Sequence, residues 1–472
     1  MAGTAAATGH QGKPPGRRPG RDPARRVALD VLLAVAARDA YANLLLPRLL
    51  ARRRLAGRDA ALATELSYGT LRGRGTYDAI LGVCTDRDLD SLDPVVREVL
   101  RLGAHQLLAT RIQPHAAVAT SVNLVKDAAG PRPAGLVNAV LRRVATRDLT
   151  GWLGIVAPAR DADLAGYLAV RYSHPRWVVE ALSAALGEAG DGSMPETEAM
   201  LAADNERPAV HLCAPPGLAS RDELTAAGGA PARWSPFGAY LTGGDPAAIR
   251  AVADGRAGVQ DEASQLAALA LTRVPVTGPD ASWLDVCAGP GGKSRLLASL
   301  AAGSGARLVA AEIREHRARL VASAVARTGS CRVVIADSTR PAWQHGRFDR
   351  VIADVPCSGL GALRRRPEAR WRRSPADITA LGRLQRDLLG AALDAARPGG
   401  VVGYVTCSPH LAESRDVVTD VLARRGDASV LDAAAALTGV PDIRCGPAGR
   451  YAQFWPHRHG TDAIFLALLR RR

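Results

Sequence analysis

From about residue 24 to 147, apolar residues recur at spacings of three and four. Val27, Val31 and Val35 are followed by Leu44, Leu45 and Leu49, then Ala61, Leu62, Leu66 and Leu71, then Val95, Val96, Val99 and Leu100. That period places apolar side chains on one face of a helix, and no two-residue alternation interrupts it. Asp59 and Asp93 stand where helices start, and Pro94 suits a first turn, where its missing N–H leaves nothing unpaired. The pattern predicts an all-α domain of several short helices. Over 148–256 it becomes mixed. Residues 151–163 read as a linker, Tyr172 to Trp177 opens a helix reaching Leu186, and Ala209 to Leu212 is a short strand before the Pro215-Pro216-Gly217 turn. A linker and a small α/β connector domain are expected there. From 257 to 472, apolar runs at 283–287, 308–312, 333–336, 350–353 and 401–406 alternate with helical segments, and 464–469 is a terminal strand candidate. Such alternation predicts a parallel, Rossmann-like α/β sheet. Residues 1–23, rich in Gly, Pro, Ala, Arg and Lys, offer no apolar face and read as a disordered basic tail.

Length agrees with this multidomain reading, since 472 residues exceed what one hydrophobic core usually serves. Charge adds a partner. Lys+Arg total 61 against 46 Asp+Glu, giving +15. Each phosphate neutralised by such a surface releases counterions, so a nucleic acid is the expected ligand. The seven cysteines are odd in number and contain no C-x-x-C pair. A zinc site and a disulfide framework are both unexpected, and a reducing cytoplasm fits. No apolar segment follows the basic N-terminus, and no long uncharged apolar run could span a membrane. A cytoplasmic monomer without metal or membrane association is expected.

The first strand of the sheet domain runs into Asp285-Val286-Cys287-Ala288-Gly289-Pro290-Gly291-Gly292-Lys293-Ser294. Glycines ahead of a helix let backbone amides approach a ligand. Position 287 is Cys where a phosphate-cradling loop would need Gly, and the G-x-G-x-x-G spacing of dinucleotide sites is absent. Glu312 closes the next strand, where an acidic side chain binds ribose hydroxyls, and Asp337 and Asp354 follow at later strand ends. Helix capping accounts for any one of these acids but poorly for all three. The set predicts a nucleoside-type cofactor, S-adenosylmethionine (SAM).

Two cysteines fall at adjacent strand ends, in Asp354-Val355-Pro356-Cys357-Ser358-Gly359-Leu360-Gly361 and in Thr406-Cys407-Ser408-Pro409. Carbon 5 of cytosine is too weak a nucleophile to take a methyl group from SAM. A thiolate adding to carbon 6 makes it enamine-like. An acid near the ring nitrogen, for which Asp354 is placed, would stabilise the adduct, and a second thiol could help remove the carbon-5 proton. By chemistry and spacing, either cysteine could attack.

These motifs resemble the RsmB/Sun (NOL1/NOP2/Sun) family of RNA cytosine-5 methyltransferases. The resemblance implies that Cys407 is the nucleophile, that Cys357 assists release, and that Cys287 to Lys293, Glu312, Asp337 and Asp354 contact SAM. DNA cytosine methyltransferases use a Pro-Cys cysteine instead, which keeps Cys357 as the rival nucleophile. The family loop commonly has Ala where Gly289 stands and often Asp where Glu312 stands. Arg58 to Arg72 and Leu136 to Arg143 resemble the NusB-type RNA-binding helical domain, a pairing found in RsmB proteins. A 16S small-subunit rRNA substrate is thereby implied, with tRNA or another RNA as the alternative, and a non-catalytic RNA-binding assembly factor as the alternative of another class. Arg364, Arg365, Arg366, Arg370, Arg372 and Arg373 around Trp371 form a basic cluster expected to contact RNA.

Overall fold

The computed structural model describes residues 22–38, 40–188, 194–241 and 243–472. The predicted tail lies outside them except for its last two residues, and Pro23 already belongs to the first helix. The chain forms two compact units that divide after Val156.

The first unit is helical: α1 Pro23–Arg38, α2 Ala42–Arg52, α3 Gly57–Cys84, α4 Pro94–Ala109, α5 Pro114–Ala129, α6 Ala134–Val144 and α7 Leu149–Val156. Asp93 caps α4 by accepting the Val95 N–H at 2.8 Å, with Pro94 in the first turn as its φ prefers. Val96, Val99, Leu100 and Leu102 are buried with Val27, Val31, Leu66 and Leu141 in one core. The start of the expected linker is instead helix α7. Its two glycines hide an amphipathic turn. Asp148 caps it through the Gly151 N–H, and Trp152 is buried with its indole N–H on the Val144 carbonyl, 2.8 Å away.

The second unit opens with α8 Leu164–Tyr172, α9 Arg176–Glu188 and α10 Met194–Ala203. An antiparallel sheet follows, from β1 Val210–Cys213, α11 Arg221–Ala226, β2 Gly229–Pro231, β3 Gly238–Leu241, α12 Arg250–Ala253 and β4 Gly258–Val259, with strand order β2-β3-β1-β4. Because β4 pairs Val259 with Leu212, the connector sheet reaches past residue 256, where the hydrophobic pattern places its end. A two-residue strand has no period to read.

The remaining elements are α13 Glu262–Arg273, β5 Ser282–Asp285, α14 Gly292–Ser304, β6 Arg307–Glu312, α15 Glu315–Val325, β7 Cys331–Ile335, β8 Phe348–Asp354, α16 Ala369–Arg372, α17 Pro375–Ala395, β9 Ala396–Thr406, α18 Arg415–Ala423, β10 Ala428–Leu431, β11 Arg444–Cys445, β12 Tyr451–Gln453, α19 Pro456–His459 and β13 Phe465–Arg471. They build a sheet ordered β11-β12-β13-β9-β8-β5-β6-β7, with β10 beside β13. The five strands from β7 to β9 are parallel, and β13 runs antiparallel to β9. Alternate residues feed opposite faces. Trp283 and Ile352 pack with Leu266 and Leu296, while Leu284 and Val351 pack with Leu389 and Val417. Each fully buried side chain of this kind contributes about 1.5–3 kcal/mol. The chain starts at β5, steps outward to β6 and β7, then crosses to β8 and β9. Its switch point therefore lies between β5 and β8, where ligands bind at the carboxyl ends of parallel strands.

Candidate active site

Every site residue anticipated from the sequence lies at that carboxyl edge, in the loops leaving it or in the first turn of α14. The loop after β5 begins at Asp285, whose buried carboxylate accepts the Cys287 N–H at 3.1 Å and the Ser294 hydroxyl at 2.7 Å. Burial raises its pKa to about 7 despite the Ser294 bond. Cys287 and Ala288 pack into the sheet edge, and burial pushes the Cys287 thiol well up. Gly291 takes φ +110°, and Gly292 opens α14. Glu312, at the end of β6, is 4% exposed. It accepts the Gly289 N–H at 3.1 Å and the Arg314 N–H at 3.0 Å. Asp337, two residues beyond β7, uses Oδ1 to accept the Thr339 N–H and hydroxyl, which lowers its pKa. Its Oδ2 accepts no hydrogen bond among the described residues.

This donor set fits a nucleoside-type cofactor. A carboxylate stands at the end of one strand for a ribose diol, and a second follows the next strand for an amine. Between them, Gly289, Pro290 and Gly291 present backbone and no polar side chain. A Cβ at position 289 would lie 2.2 Å from Glu312 Oε2 and 2.8 Å from Arg317 Nε, so those side chains would have to shift. The two departures from the family pattern thus touch each other: the longer Glu312 occupies the space that an alanine methyl would take. We expect Gly289→Ala to weaken SAM binding about 5–30-fold, and Glu312→Asp in the same chain to restore most of it, a coupling of about 1–2 kcal/mol. Calorimetric titration of the four proteins checks this. Additive losses would disprove the pairing.

Across the switch point, Lys293 Nζ donates to Asp354 Oδ2 at 2.8 Å. Burial alone would lower the Lys293 pKa, but the charge and hydrogen bond of Asp354 outweigh it and hold the ammonium charged. Beside this pair, Cys357 Sγ and Cys407 Sγ are 3.2 Å apart. The Gly361 N–H donates to the Cys407 carbonyl at 2.9 Å and ties the two loops together. The sulfurs are not equivalent. The Cys407 pKa is lowered, first by the hydrogen bond from Cys357 and further by Arg366 and Lys293, against burial and Asp354. Cys357 is raised by donating that bond, by burial, by the Cys407 charge and by Glu413. The surroundings therefore favour a thiolate at Cys407 over one at Cys357.

A family model described as 16S rRNA methyltransferase RsmB/F matches residues 275–470, and one described as NusB family matches 22–146. The Pseudomonas syringae protein named ribosomal RNA small subunit methyltransferase B is 34% identical over 451 residues, covering 93% of this chain and 94% of its own. The chain belongs to the RsmB/F methyltransferase family. It is a SAM-dependent RNA methyltransferase with an N-terminal NusB-type region. Among its relatives, the Mycobacterium tuberculosis protein named "Putative methyltransferase Rv1407" is 52% identical over 443 residues, covering 94% of this chain and 95% of its own. The crystal structure titled PH0851 superposes with TM-score 0.78 at 21% identity, over 95% of this chain and 98% of that one, which shows the same fold.

Within this RsmB/F-family protein the basic cluster divides. Arg364 and Arg365 both bind Asp261 and Asp462, with Arg364 only 6% exposed. Arg370 is fully buried and donates to the Ser173 carbonyl at 3.0 Å and to Asn205 Oδ1 at 2.9 Å. These three hold the loop after Cys357 against the rest of the unit. Arg366 is exposed, and Arg372 and Arg373 are half-buried, so the face available to RNA is smaller than the sequence implies. Glu413 went unnoticed in the sequence. Its carboxylate is buried between the two cysteine loops, and the only sequence signal was the serine after each cysteine. Among the described residues there is no His, Cys, Asp and Glu group able to hold a metal, and no helix is long and apolar enough to cross a membrane.

Proposed function

We propose that this protein methylates carbon 5 of a cytosine in 16S small-subunit rRNA through a covalent bond between Cys407 and carbon 6. The observation that carries the reading is the pair of sulfurs 3.2 Å apart at the switch point, in surroundings that lower the Cys407 pKa and raise that of Cys357. A lone buried cysteine is a small hydrophobe, whereas a thiolate beside a second thiol supplies both an attacking group and a proton-transfer partner. Cys407 adds to carbon 6, and electron density moves onto carbon 5 and the ring nitrogen. Asp354 and the Lys293 ammonium it holds form the polar pair that steadies the ring in the adduct. When bound, SAM supplies the electrophilic methyl group. Glu312 would hold its ribose, Asp337 its base, and the backbone from Cys287 to Gly292 its remaining length, with Asp354 bordering the transferred methyl. Cys357, once its own proton has passed to water after Cys407 has bonded to carbon 6, then takes the carbon-5 proton, directly or through water, as the Cys407 sulfur leaves. Burial and Glu413 make its thiolate a strong base once formed.

The substrate assignment follows the names of full-length relatives such as the Pseudomonas syringae protein. Seven free cysteines fit a reducing cytoplasm. The test is mass-spectrometric and bisulfite mapping of rRNA and tRNA from cells with and without the gene. We expect one 5-methylcytosine in 16S rRNA to disappear on deletion and return on complementation. Loss of a tRNA methyl group instead would move the substrate, and an unchanged cytosine map would end the proposal.

A further inference from the structure

Glu413 is 0% exposed and no described arginine, lysine or histidine pairs with it, yet four donors converge on its carboxylate. Oε1 accepts the Ser358 N–H at 2.7 Å and the Gln385 amide at 3.1 Å. Oε2 accepts the Ser358 hydroxyl at 2.5 Å and the Ser408 hydroxyl at 2.7 Å. Ser358 follows Cys357 and Ser408 follows Cys407, so a single carboxylate grips the residue after each sulfur. Gln385 also donates to the Pro356 carbonyl at 2.9 Å, which fixes the residue before Cys357 from α17. The Tyr404 hydroxyl on β9 donates to the Glu413 carbonyl at 2.6 Å and holds the clasp to the sheet. A buried carboxylate is costly to desolvate unless donors surround it, and hydrophobic packing would join two loops at lower cost. Its position therefore calls for a use of its charge.

We propose that Glu413 is a positioning residue that decides which cysteine is the nucleophile, by clasping both cysteine loops and placing its negative charge on the Cys357 side of the pair. This rests on the two-cysteine reading above and goes one step beyond it. The carboxylate contacts the backbone N–H as well as the hydroxyl of Ser358, but only the hydroxyl of Ser408. A thiolate at Cys357 would face that charge. A thiolate at Cys407 faces Lys293 and Arg366. Glu413, fully buried, acts through the shared proton.

Single-hit alkylation of the full-length protein with iodoacetamide, read by peptide mass spectrometry across a pH series, tests this without RNA or cofactor. Wild type should be modified at Cys407 ahead of Cys357. In Glu413→Gln, which keeps the shape and removes the charge, the Cys407 to Cys357 ratio should fall about tenfold, the weight of one pKa unit. Cys357 should react at lower pH while Cys407 needs higher pH. A structural role alone would move both rates in the same direction, and that result, or an unchanged ratio, overturns the proposal. If the Gln variant does not fold, Glu413→Asp retains the charge and should keep Cys407 ahead; loss of the preference there overturns it equally. Failure of the wild type to methylate cytosine would remove the functional reading, whereas an unmoved ratio in a wild type that does methylate would remove only the role of Glu413.

Discussion

Cys407→Ser will bind SAM within about twofold of wild type, yet methylate RNA at least about 10³-fold more slowly, a rise of about 4 kcal/mol in the barrier. Glu312, Asp337 and the β5–α14 loop, the proposed SAM contacts, do not depend on the Cys407 sulfur for their hydrogen bonds, so binding is expected to stay intact. In the proposed mechanism the chemistry depends on it entirely. The Cys407 pKa is lowered, first by the hydrogen bond it shares with Cys357 and further by Arg366 and Lys293. A serine hydroxyl is far less acidic, and the same surroundings cannot ionise it near neutral pH. Filter binding of SAM, single-turnover methylation and a denaturing gel for protein–RNA adducts read the three parts separately. Methylation retained within tenfold, or an adduct still formed by this variant, would show that the attacking group lies elsewhere, and Cys357 would be first in line.

Which cysteine attacks was the question the residue pattern left open. P-C-S and T-C-S look alike as motifs, and each follows a parallel strand. Their difference lies in neighbours far away in sequence: Lys293 and Arg366 around one sulfur, Glu413 beside the other. Strand ends and the glycine loop were legible because local periodicity and φ preference encode them. Glu413 was not legible, because a buried acid looks like any surface glutamate until the fold brings four donors to it. The arginine cluster shows the converse. Arg364, Arg365 and Arg370 looked like an RNA surface because their acidic and carbonyl partners, Asp261, Asp462 and Ser173, lie about a hundred residues or more away. Helix α7 and strand β4 were hidden for a simpler reason. One is rich in glycine and the other is two residues long, so neither shows a period.

Cys357→Ser will stop after methyl transfer and accumulate a covalent protein–RNA complex visible on a denaturing gel, with multiple-turnover methylation reduced by about 10²–10⁴-fold, the usual cost of losing a proton-transfer group. Serine is the informative replacement. Its hydroxyl can still donate to the Cys407 sulfur across a gap that is 3.2 Å in the wild type, so the thiolate survives and the first half of the reaction proceeds. What serine lacks is a group that ionises near neutral pH and so can accept a proton, and without that base the carbon-5 proton stays and the carbon–sulfur bond cannot break. The trapped RNA should therefore already carry its methyl group. Nuclease digestion and mass spectrometry of the complex should find a methylated cytidine adduct on the Cys407 peptide. The double variant Cys357→Ser/Cys407→Ser should show no band. Free turnover by the single variant, or a trapped complex lacking the methyl group, would remove Cys357 from the release step. A band from Cys407→Ser together with none from Cys357→Ser would exchange the two roles and show that the asymmetry of charge around the pair does not choose the nucleophile.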